Sequence, residues 1–277
     1  MTAKTVAVIN MKGGVGKTTL SYNLADQLVR DEKKHVLLVD LDPQANATII
    51  SVSEAQLESH RKANKKTITD LFIDSYAPRG PIQGTPKPPS LSNYTLNVFT
   101  TSEGKRFDLI PSDIYLSTVL RGISVGPYDL NALIGDQAIN QYDYIIADCA
   151  PTYSWLTTIA FNTCGAVLIP MVSDTFGLYG TRLLKQIVEE HKHDFGTAIK
   201  IVGVVFMMKD KTSSGTAFEN EIIKSWGAEM IFNSKISENK WYRVAAGKRI
   251  SIDSTGAHGG VKDELDAFVK EFVTRMG

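Results

Sequence analysis

The sequence feature that most constrains the fold is a glycine-rich stretch at residues 10–19, NMKGGVGKTT. It follows an apolar run at 6–9 and precedes Leu20, Leu24 and Leu28, which share one face of a helix. Strand, glycine turn and helix in this order are the context of a phosphate-binding loop, because glycines let backbone N–H groups converge on an anion at the helix N-terminus. The alternative is a plain strand-to-helix turn with incidental lysines, which the spacing disfavours.

In such a loop Lys17 would reach the β- and γ-phosphates, and the Thr18 hydroxyl would bind Mg²⁺. Met11 stands where the strict pattern has glycine, and Lys12 directly precedes the glycine pair. The loop therefore resembles the deviant phosphate loop K-G-G-x-G-K-[ST] of the ParA/MinD family of dimerising ATPases. The resemblance implies that Lys12 crosses a nucleotide-sandwich dimer to the partner's phosphates; otherwise Lys12 is a solvated loop lysine. The residues expected to bind ATP here are Lys12, Gly13, Gly14, Val15, Gly16, Lys17, Thr18 and Thr19.

Carboxylates follow two further apolar runs, where open α/β sheets place ligand chemistry. Residues 40–48, DLDPQANAT, resemble the D-x-D-P-Q-[GA]-N-A-[TS] switch of ParA-type proteins. The resemblance implies that Asp42 positions the attacking water and senses the γ-phosphate through the metal shell, with Asp40 near the magnesium waters; the alternative is an Asx-capped polar turn. The run at 142–148 ends in Asp148, as in the motif whose aspartate holds Mg²⁺ through water, or else as a helix cap. The expected metal-site residues are thus Thr18, Asp42 and Asp148, and the expected catalytic residues are Lys12, Lys17 and Asp42.

The rest of the chain predicts the same architecture. Apolar runs at 166–170, 199–208 and 230–232 read as strands, and the final helix carries an apolar stripe from Leu265 to Met276 that would seal the sheet. A helix ending near His193 is expected to bury Leu183, Leu184, Ile187 and Val188. We therefore expect a single doubly wound α/β domain over 1–277 with a mainly parallel sheet, a P-loop NTPase fold of the deviant Walker A type.

Two later segments resemble the family less closely. Residues 208–212 resemble its M-x-D-x-R-T turn, which implies that Asp210 borders the adenine. Residues 236–239 and 247–250 resemble its R-L-S-E-A … G-K-P-I segment, with Arg249 in the place of the proline. The stretch 77–93, which holds five of the ten prolines, is expected to be an extended surface loop and receives no role.

The composition limits which kinds of partner the protein could bind and where it could be located. The formal net charge is zero, so only a local patch could attract nucleic acid or anionic lipid. Two cysteines, Cys149 and Cys164, are too few for a disulfide framework, and Cys149 is expected to be a small packing residue. Absence of a signal peptide or of an apolar run of membrane-spanning length predicts a cytoplasmic protein.

Residues 200–250 are a candidate DNA-binding patch, with nine lysines and arginines against five acids. Such a cluster suits the phosphate backbone, so binding would be independent of sequence; the alternative is a solvated face without a ligand. The candidate DNA contacts, including two on the preceding helix, are Arg182, Lys185, Lys211, Lys224, Lys235, Lys240, Arg243, Lys248 and Arg249.

The resemblance implies slow, partner-stimulated ATP hydrolysis coupled to a homodimer that binds double-stranded DNA and is nucleoid-associated. A ParB-like or cargo-adaptor protein would stimulate it, and the cycle would partition DNA or position another cargo. ATP and Mg²⁺ are the expected cofactors. Two alternatives stay open: a membrane-positioning ATPase of the MinD kind, disfavoured by the acidic final helix, and a metabolic or cluster-carrier ATPase on the same scaffold.

Overall fold

The computed structural model describes residues 3–76, 90–118, 139–208, 213–257 and 260–277. Its strands are β1 (Lys4–Val8), β2 (Val36–Leu41), β3 (Leu96–Thr100), β4 (Arg106–Ile110), β5 (Tyr144–Cys149), β6 (Ala166–Met171) and β7 (Lys200–Phe206). They form one seven-stranded sheet in the order β3-β4-β2-β5-β1-β6-β7, parallel throughout except for β3.

Helices cover both faces of the sheet, because alternate side chains of the buried strands point to opposite sides. The helices are α1 (Lys17–Arg30), α2 (Asn46–Ser51), α3 (Glu54–Lys62), α4 (Ile68–Tyr76), α5 (Trp155–Thr163), α6 (Thr175–Phe195), α7 (Ser213–Trp226), α8 (Lys240–Lys248) and α9 (Gly260–Met276). Val6 and Val8 join one apolar cluster with α1 and α9, and Ala7 and Ile9 join the other with α4 to α7. The predicted doubly wound α/β fold with a mainly parallel sheet is confirmed.

The order of the strands in the sheet determines where the candidate site lies. β1 lies between β5 and β6, and β2 lies on the far side of β5, so the chain crosses over β5 between its first two strands. The carboxyl ends of β1, β2 and β5 therefore meet at one edge, where the register pairs Asp40 with Asp148. This edge is the crevice in which open α/β sheets bind ligands.

Helix α9 closes one face as predicted. Leu265, Phe268, Val269 and Phe272 are buried, and the stripe continues in side chains packed against the same cluster. Both cysteines are buried too, in agreement with a packing role. Within the described residues, no helix is long and apolar enough to cross a membrane.

Two sequence predictions are wrong. Residues 230–232 form no strand: Ala228–Met230 is a 3₁₀ turn, and only Ile231 bridges to β7. The guanidinium of Arg275 instead binds the carbonyls of Glu229 and Ile231, which takes up acceptors that a longer ladder would need. Leu183 is 50% exposed, because the buried stripe of α6 follows Leu184, Ile187 and Val188 and leaves its neighbour outside.

The antiparallel edge strand β3 was not predicted from the sequence. Most of the proline-rich stretch, 77–89, lies outside the described residues, and so does Asp210.

Candidate functional site

The loop between β1 and α1 presents an open backbone to the carboxyl edge of the sheet. Gly14 and Gly16 have φ of +76° and +88°, in the left-handed region that favours glycine. A Cβ atom on Gly13 or Gly14 would meet nothing within 4 Å, so solvent or a ligand can approach the amides there. Gly16 precedes α1 without a side-chain cap, so the first N–H groups of the helix remain available to an anion.

Lys17 lies at the base of this loop with only 7% of its surface exposed. Its Nζ donates to the carbonyl oxygen of Lys12 at 3.0 Å. Burial lowers the pKa of Lys17, and the nearby carboxylates of Asp148 and Asp42 counteract that shift. A buried ammonium held by a neutral carbonyl would gain from an anionic partner, since charge-assisted hydrogen bonds are the stronger kind.

Asp148, at the end of β5, is bound by two hydroxyl groups of α1. Thr18 Oγ1 donates to one carboxylate oxygen and Ser21 Oγ to the other, each at 2.8 Å. Burial raises the pKa of Asp148 to about 6, although both hydroxyl groups favour the ionised form. Sequence analysis missed Ser21; its signal was the position three residues after Thr18, on the same face of α1.

The switch segment, residues 40–48, contains two carboxylates that have different surroundings. Asp40 is fully buried and accepts hydrogen bonds from the amide and hydroxyl of Thr48, at 2.8 and 2.7 Å, and from the amide of Asp42. Burial and the proximity of Asp148 raise the pKa of Asp40 to about 7. Asp42 instead lines the cavity beside the phosphate loop and accepts from the amide of Gln44 at 2.9 Å. Asp40 therefore anchors the segment, and Asp42 faces the ligand space.

The cavity has a volume of about 520 Å³, within the usual range for small-molecule sites. The phosphate loop and the switch segment form two of its walls, and α8 forms a third through Tyr242 and Ala246. A second cavity of about 210 Å³ adjoins it and is lined by Met207, Met208 and residues 236–239. The contribution of α8 could not be read from the sequence, since its residues belong to no nucleotide motif.

The two lysines of the loop have different surroundings. Lys12 Nζ forms an ion pair with Asp174, just before α6, while Lys17 Nζ stays under the loop. The side chain of Asn10 fixes the loop between these two sites, donating to the carbonyl of Pro170 and accepting from the amide of Lys12. The structure thus brings together Lys17, Thr18, Asp42 and Asp148, and turns the Lys12 ammonium toward β6 and α6.

The candidate DNA contacts are distributed over α6, α7, α8 and the segment before α8. Three of them are engaged within the chain: Lys235 pairs with Glu219, Arg243 pairs with Glu238, and Arg249 donates to the carbonyl of Ile49. The ammonium groups of two more stack on tryptophan rings, Lys185 on Trp226 and Lys240 on Trp241.

Of the remaining four candidates, Arg182, Lys224 and Lys248 have exposed side chains, and Lys211 lies outside the described residues.

Comparison with known proteins agrees with this geometry. A family model described as an AAA domain matches residues 3–201. The chromosome-partitioning ATPase Soj of Treponema pallidum is 28% identical over 283 residues, which cover 99% of this chain and 98% of that protein.

Solved structures share the fold. Apo McdA from Cyanothece superposes with a TM-score of 0.75 at 20% identity, over 98% of this chain and 99% of that one. Cobyrinic acid a,c-diamide synthase from Mycobacterium smegmatis reaches a TM-score of 0.66 at 21% identity, over 88% and 93% of the two chains. Since that synthase shares the fold, the fold alone does not separate partitioning proteins from metabolic enzymes. The family model, the relatives and the loop geometry together show that the chain belongs to the AAA-domain family, as a P-loop protein of the ParA/Soj partitioning-ATPase type.

Proposed function

We propose that this chain is an ATP-driven dimerisation switch that hydrolyses ATP slowly, binds DNA without sequence preference, and partitions DNA or positions another cargo. One observation carries the proposal. A 520 Å³ cavity has an open glycine backbone and the buried Lys17 at its base, with Asp42 in its wall. These are the parts that phosphoryl transfer requires.

The residues present fit Mg²⁺ and ATP. The free N–H groups of the loop and Lys17 would bind the phosphates, and Thr18 and Asp148 would hold the metal. The described residues contain no group of three or more His, Cys, Asp or Glu side chains that could hold a metal, which suits Mg²⁺, since it takes few protein ligands beside phosphates and water. When bound, the metal supplies positive charge against the charge that develops on the phosphate. Asp42 would accept a hydrogen bond from the attacking water and orient it.

Dimer formation is supported at the same edge of the sheet. Lys12 pairs there with Asp174, each with about a third of its side chain exposed, so Lys12 can exchange this partner for another anion. Tyr153 and Trp155, after β5, and Tyr179, near the start of α6, are 55%, 41% and 66% exposed. Exposed apolar side chains around a ligand edge suit a second copy of the chain, whose phosphates Lys12 would reach.

The cationic side chains of α8 support DNA binding. Lys240, Lys248 and Arg243 are exposed on the helix that walls the nucleotide cavity. Phosphate contacts from such side chains carry no sequence information, so we expect non-specific binding. Similarity to Soj over 99% of this chain supports one ATPase domain over 1–277 and an activating partner of the ParB or cargo-adaptor kind.

The test is binding to duplex DNA of arbitrary sequence with ATP, ADP or no nucleotide, across a salt series, for the wild type and Lys12→Ala. We expect binding to be much tighter with ATP than with ADP or without nucleotide, to weaken as salt rises, and to be lost in the variant. Hydrolysis without DNA binding in any state would overturn the proposal and favour a membrane-positioning or metabolic ATPase. Sedimentation with anionic vesicles and assays with small-molecule substrates would then separate those two.

A further inference from the structure

Helices α2 and α8 contact each other between the nucleotide cavity and the exposed cationic side chains of α8. Helix α2 begins at Asn46, within the switch segment (residues 40–48), and α8 packs beside it. Ile50 of α2 lines the 520 Å³ cavity together with Tyr242 and Ala246 of α8. A displacement of either helix therefore changes the wall of the same cavity.

One side chain joins the two helices. Arg249 Nε donates to the carbonyl oxygen of Ile49 at 3.0 Å, across 200 positions of sequence. That carbonyl lies in the last turn of α2, where carbonyls lack helical partners. The amide of Ser53, which could have continued the helix, donates instead to Gln56 Oε1. Arg249 thus satisfies an acceptor that α2 leaves open.

The backbone at Arg249 has a conformation that proline cannot adopt. Arg249 ends α8 in the left-handed conformation, with φ of +53°, and its amide donates to the carbonyls of Ala245 and Ala246. Proline, which the resembling family segment G-K-P-I has here, could do neither, because its φ is near −65° and it has no N–H. The contact to α2 therefore depends on Arg249 and could not be made by a proline at this position.

The contact is also connected by hydrogen bonds to the two carboxylates of the switch segment, Asp40 and Asp42. Thr48, the neighbour of Ile49, is fixed to Asp40 by two hydrogen bonds, and Asp40 in turn receives the amide of Asp42. A shift of the switch segment on nucleotide binding would move Thr48 and hence the carbonyl that Arg249 holds.

We infer that Arg249 is a positioning residue that couples the switch segment to α8, so that the nucleotide state sets how the cationic side chains of α8 are presented to DNA. This inference rests on the proposed function. It also reassigns Arg249, which sequence analysis took as a DNA contact.

The test compares Arg249→Asn with Lys248→Asn, which removes the same charge one position earlier. Asparagine tolerates the left-handed conformation, so the turn should be kept. We expect Arg249→Asn to lower the ratio of DNA affinities with ATP and ADP by about fivefold, near the lower end of ordinary coupling. Lys248→Asn should weaken binding with either nucleotide by a similar factor and leave the ratio unchanged. Equal losses in both nucleotide states for Arg249→Asn would overturn the inference.

Hydrogen exchange of the α8 amides, with and without AMPPNP and magnesium, separates this inference from the proposed function. We expect α8 protection to respond to AMPPNP in the wild type and in Lys248→Asn, but not in Arg249→Asn or Arg249→Gly. If the wild type shows this response yet binds no DNA, the proposed function fails and the coupling stands. If α8 responds equally in all four proteins, the coupling is wrong. Affinity for a fluorescent ATP analogue should be alike in all of them.

Discussion

The phosphate-loop edge and the cationic C-terminal region hold their charged groups in different ways. At the edge, Lys17, Asp40 and Asp148 are at least nine-tenths buried, and neighbouring backbone or hydroxyl groups bind each of them. In the C-terminal region the cations are mostly exposed and paired locally, as Arg243 is with Glu238. Buried charges depend strongly on their partners, whereas exposed pairs contribute little. A single substitution at the phosphate-loop edge should therefore have a large effect. Substitutions in the cationic region should each have a small effect, and only several together should have a large one.

The largest effect is expected from Lys17→Ala. Loss of its ammonium removes the charge at the base of the loop, and we expect the ATPase rate to fall by at least about a hundredfold, as when a single charge-stabilising donor is removed. Thermal unfolding without nucleotide checks that the variant still folds, since Lys17 also lies near the carboxylates of Asp148 and Asp42. Steady-state phosphate release measures the rate, with Lys62→Ala on the exposed face of α3 as the control; near wild-type hydrolysis by Lys17→Ala would contradict the assignment.

Next comes Gly203→Ala, which tests how the C-terminal region is held to the sheet. Gly203 has φ of +152°, and a Cβ there would lie 2.7 Å from the carbonyl oxygen of Met230 and 2.8 Å from a guanidinium nitrogen of Arg275. Backbone cannot yield cheaply, so we expect a loss of about 3 kcal/mol in the free energy of unfolding. Gly247→Ala, in α8 with no atom within 4 Å, should be neutral or stabilising by about 0.5–1 kcal/mol. Equal denaturation midpoints for the two variants would show that this packing is wrong.

A smaller effect is expected from Asp174→Asn, which frees Lys12 from its partner without changing shape. An ion pair so exposed is worth at most about 1 kcal/mol, and the dimer contains two copies of Lys12, so ATP-dependent dimerisation should tighten by no more than about thirtyfold. Analytical ultracentrifugation over a protein concentration series measures this, with Asp194→Asn, on the exposed end of α6, as the control. Weaker dimerisation in Asp174→Asn would mean that Asp174 helps the dimer rather than competes with it.

The smallest effect is expected in the loss of folding stability at acid pH, through a histidine that lies outside both regions. His191 is buried, with Nε2 2.8 Å from Asn162 Oδ1 and its ring between Phe161 and Phe195. Burial lowers the pKa of His191, so the unfolded chain binds the proton more readily than the folded one. Stability is therefore present above pH 6.5 and decreases as the pH falls from there toward the folded-state pKa. Urea midpoints at pH 7.5 and 5.5 should differ less in His191→Gln than in the wild type, and the exposed His193→Gln should match the wild type; an unchanged difference in His191→Gln would refute this.

The contrast between the regions also explains what the sequence could predict. Residues 10–19 and 40–48 and Asp148 could be predicted because each lies at the carboxyl end of a buried strand, and parallel strands bring these ends together. The sheet was readable for the same reason, from its apolar runs. Ser21 was missed because a serine on a helix carries no motif, although the helical period places it beside Thr18.

Other features depend on contacts between distant segments. The bond from Arg249 to Ile49 joins residues 200 positions apart, and the failure of 230–232 to form a strand depends on Arg275 from the last helix. Sequence analysis therefore predicted cations near α8 but not their individual roles. The partners of exposed, flexible side chains depend on which distant segments the fold brings near them. Local sequence patterns do not contain that information.

The most direct measurement is the molar mass of the protein in solution, by light scattering, with and without AMPPNP and magnesium, for the wild type and Lys12→Ala. We expect the wild type to double its mass with the nucleotide and Lys12→Ala to remain a monomer while still binding it. A wild type that binds AMPPNP and stays monomeric, or a variant that dimerises equally well, would contradict the proposed switch.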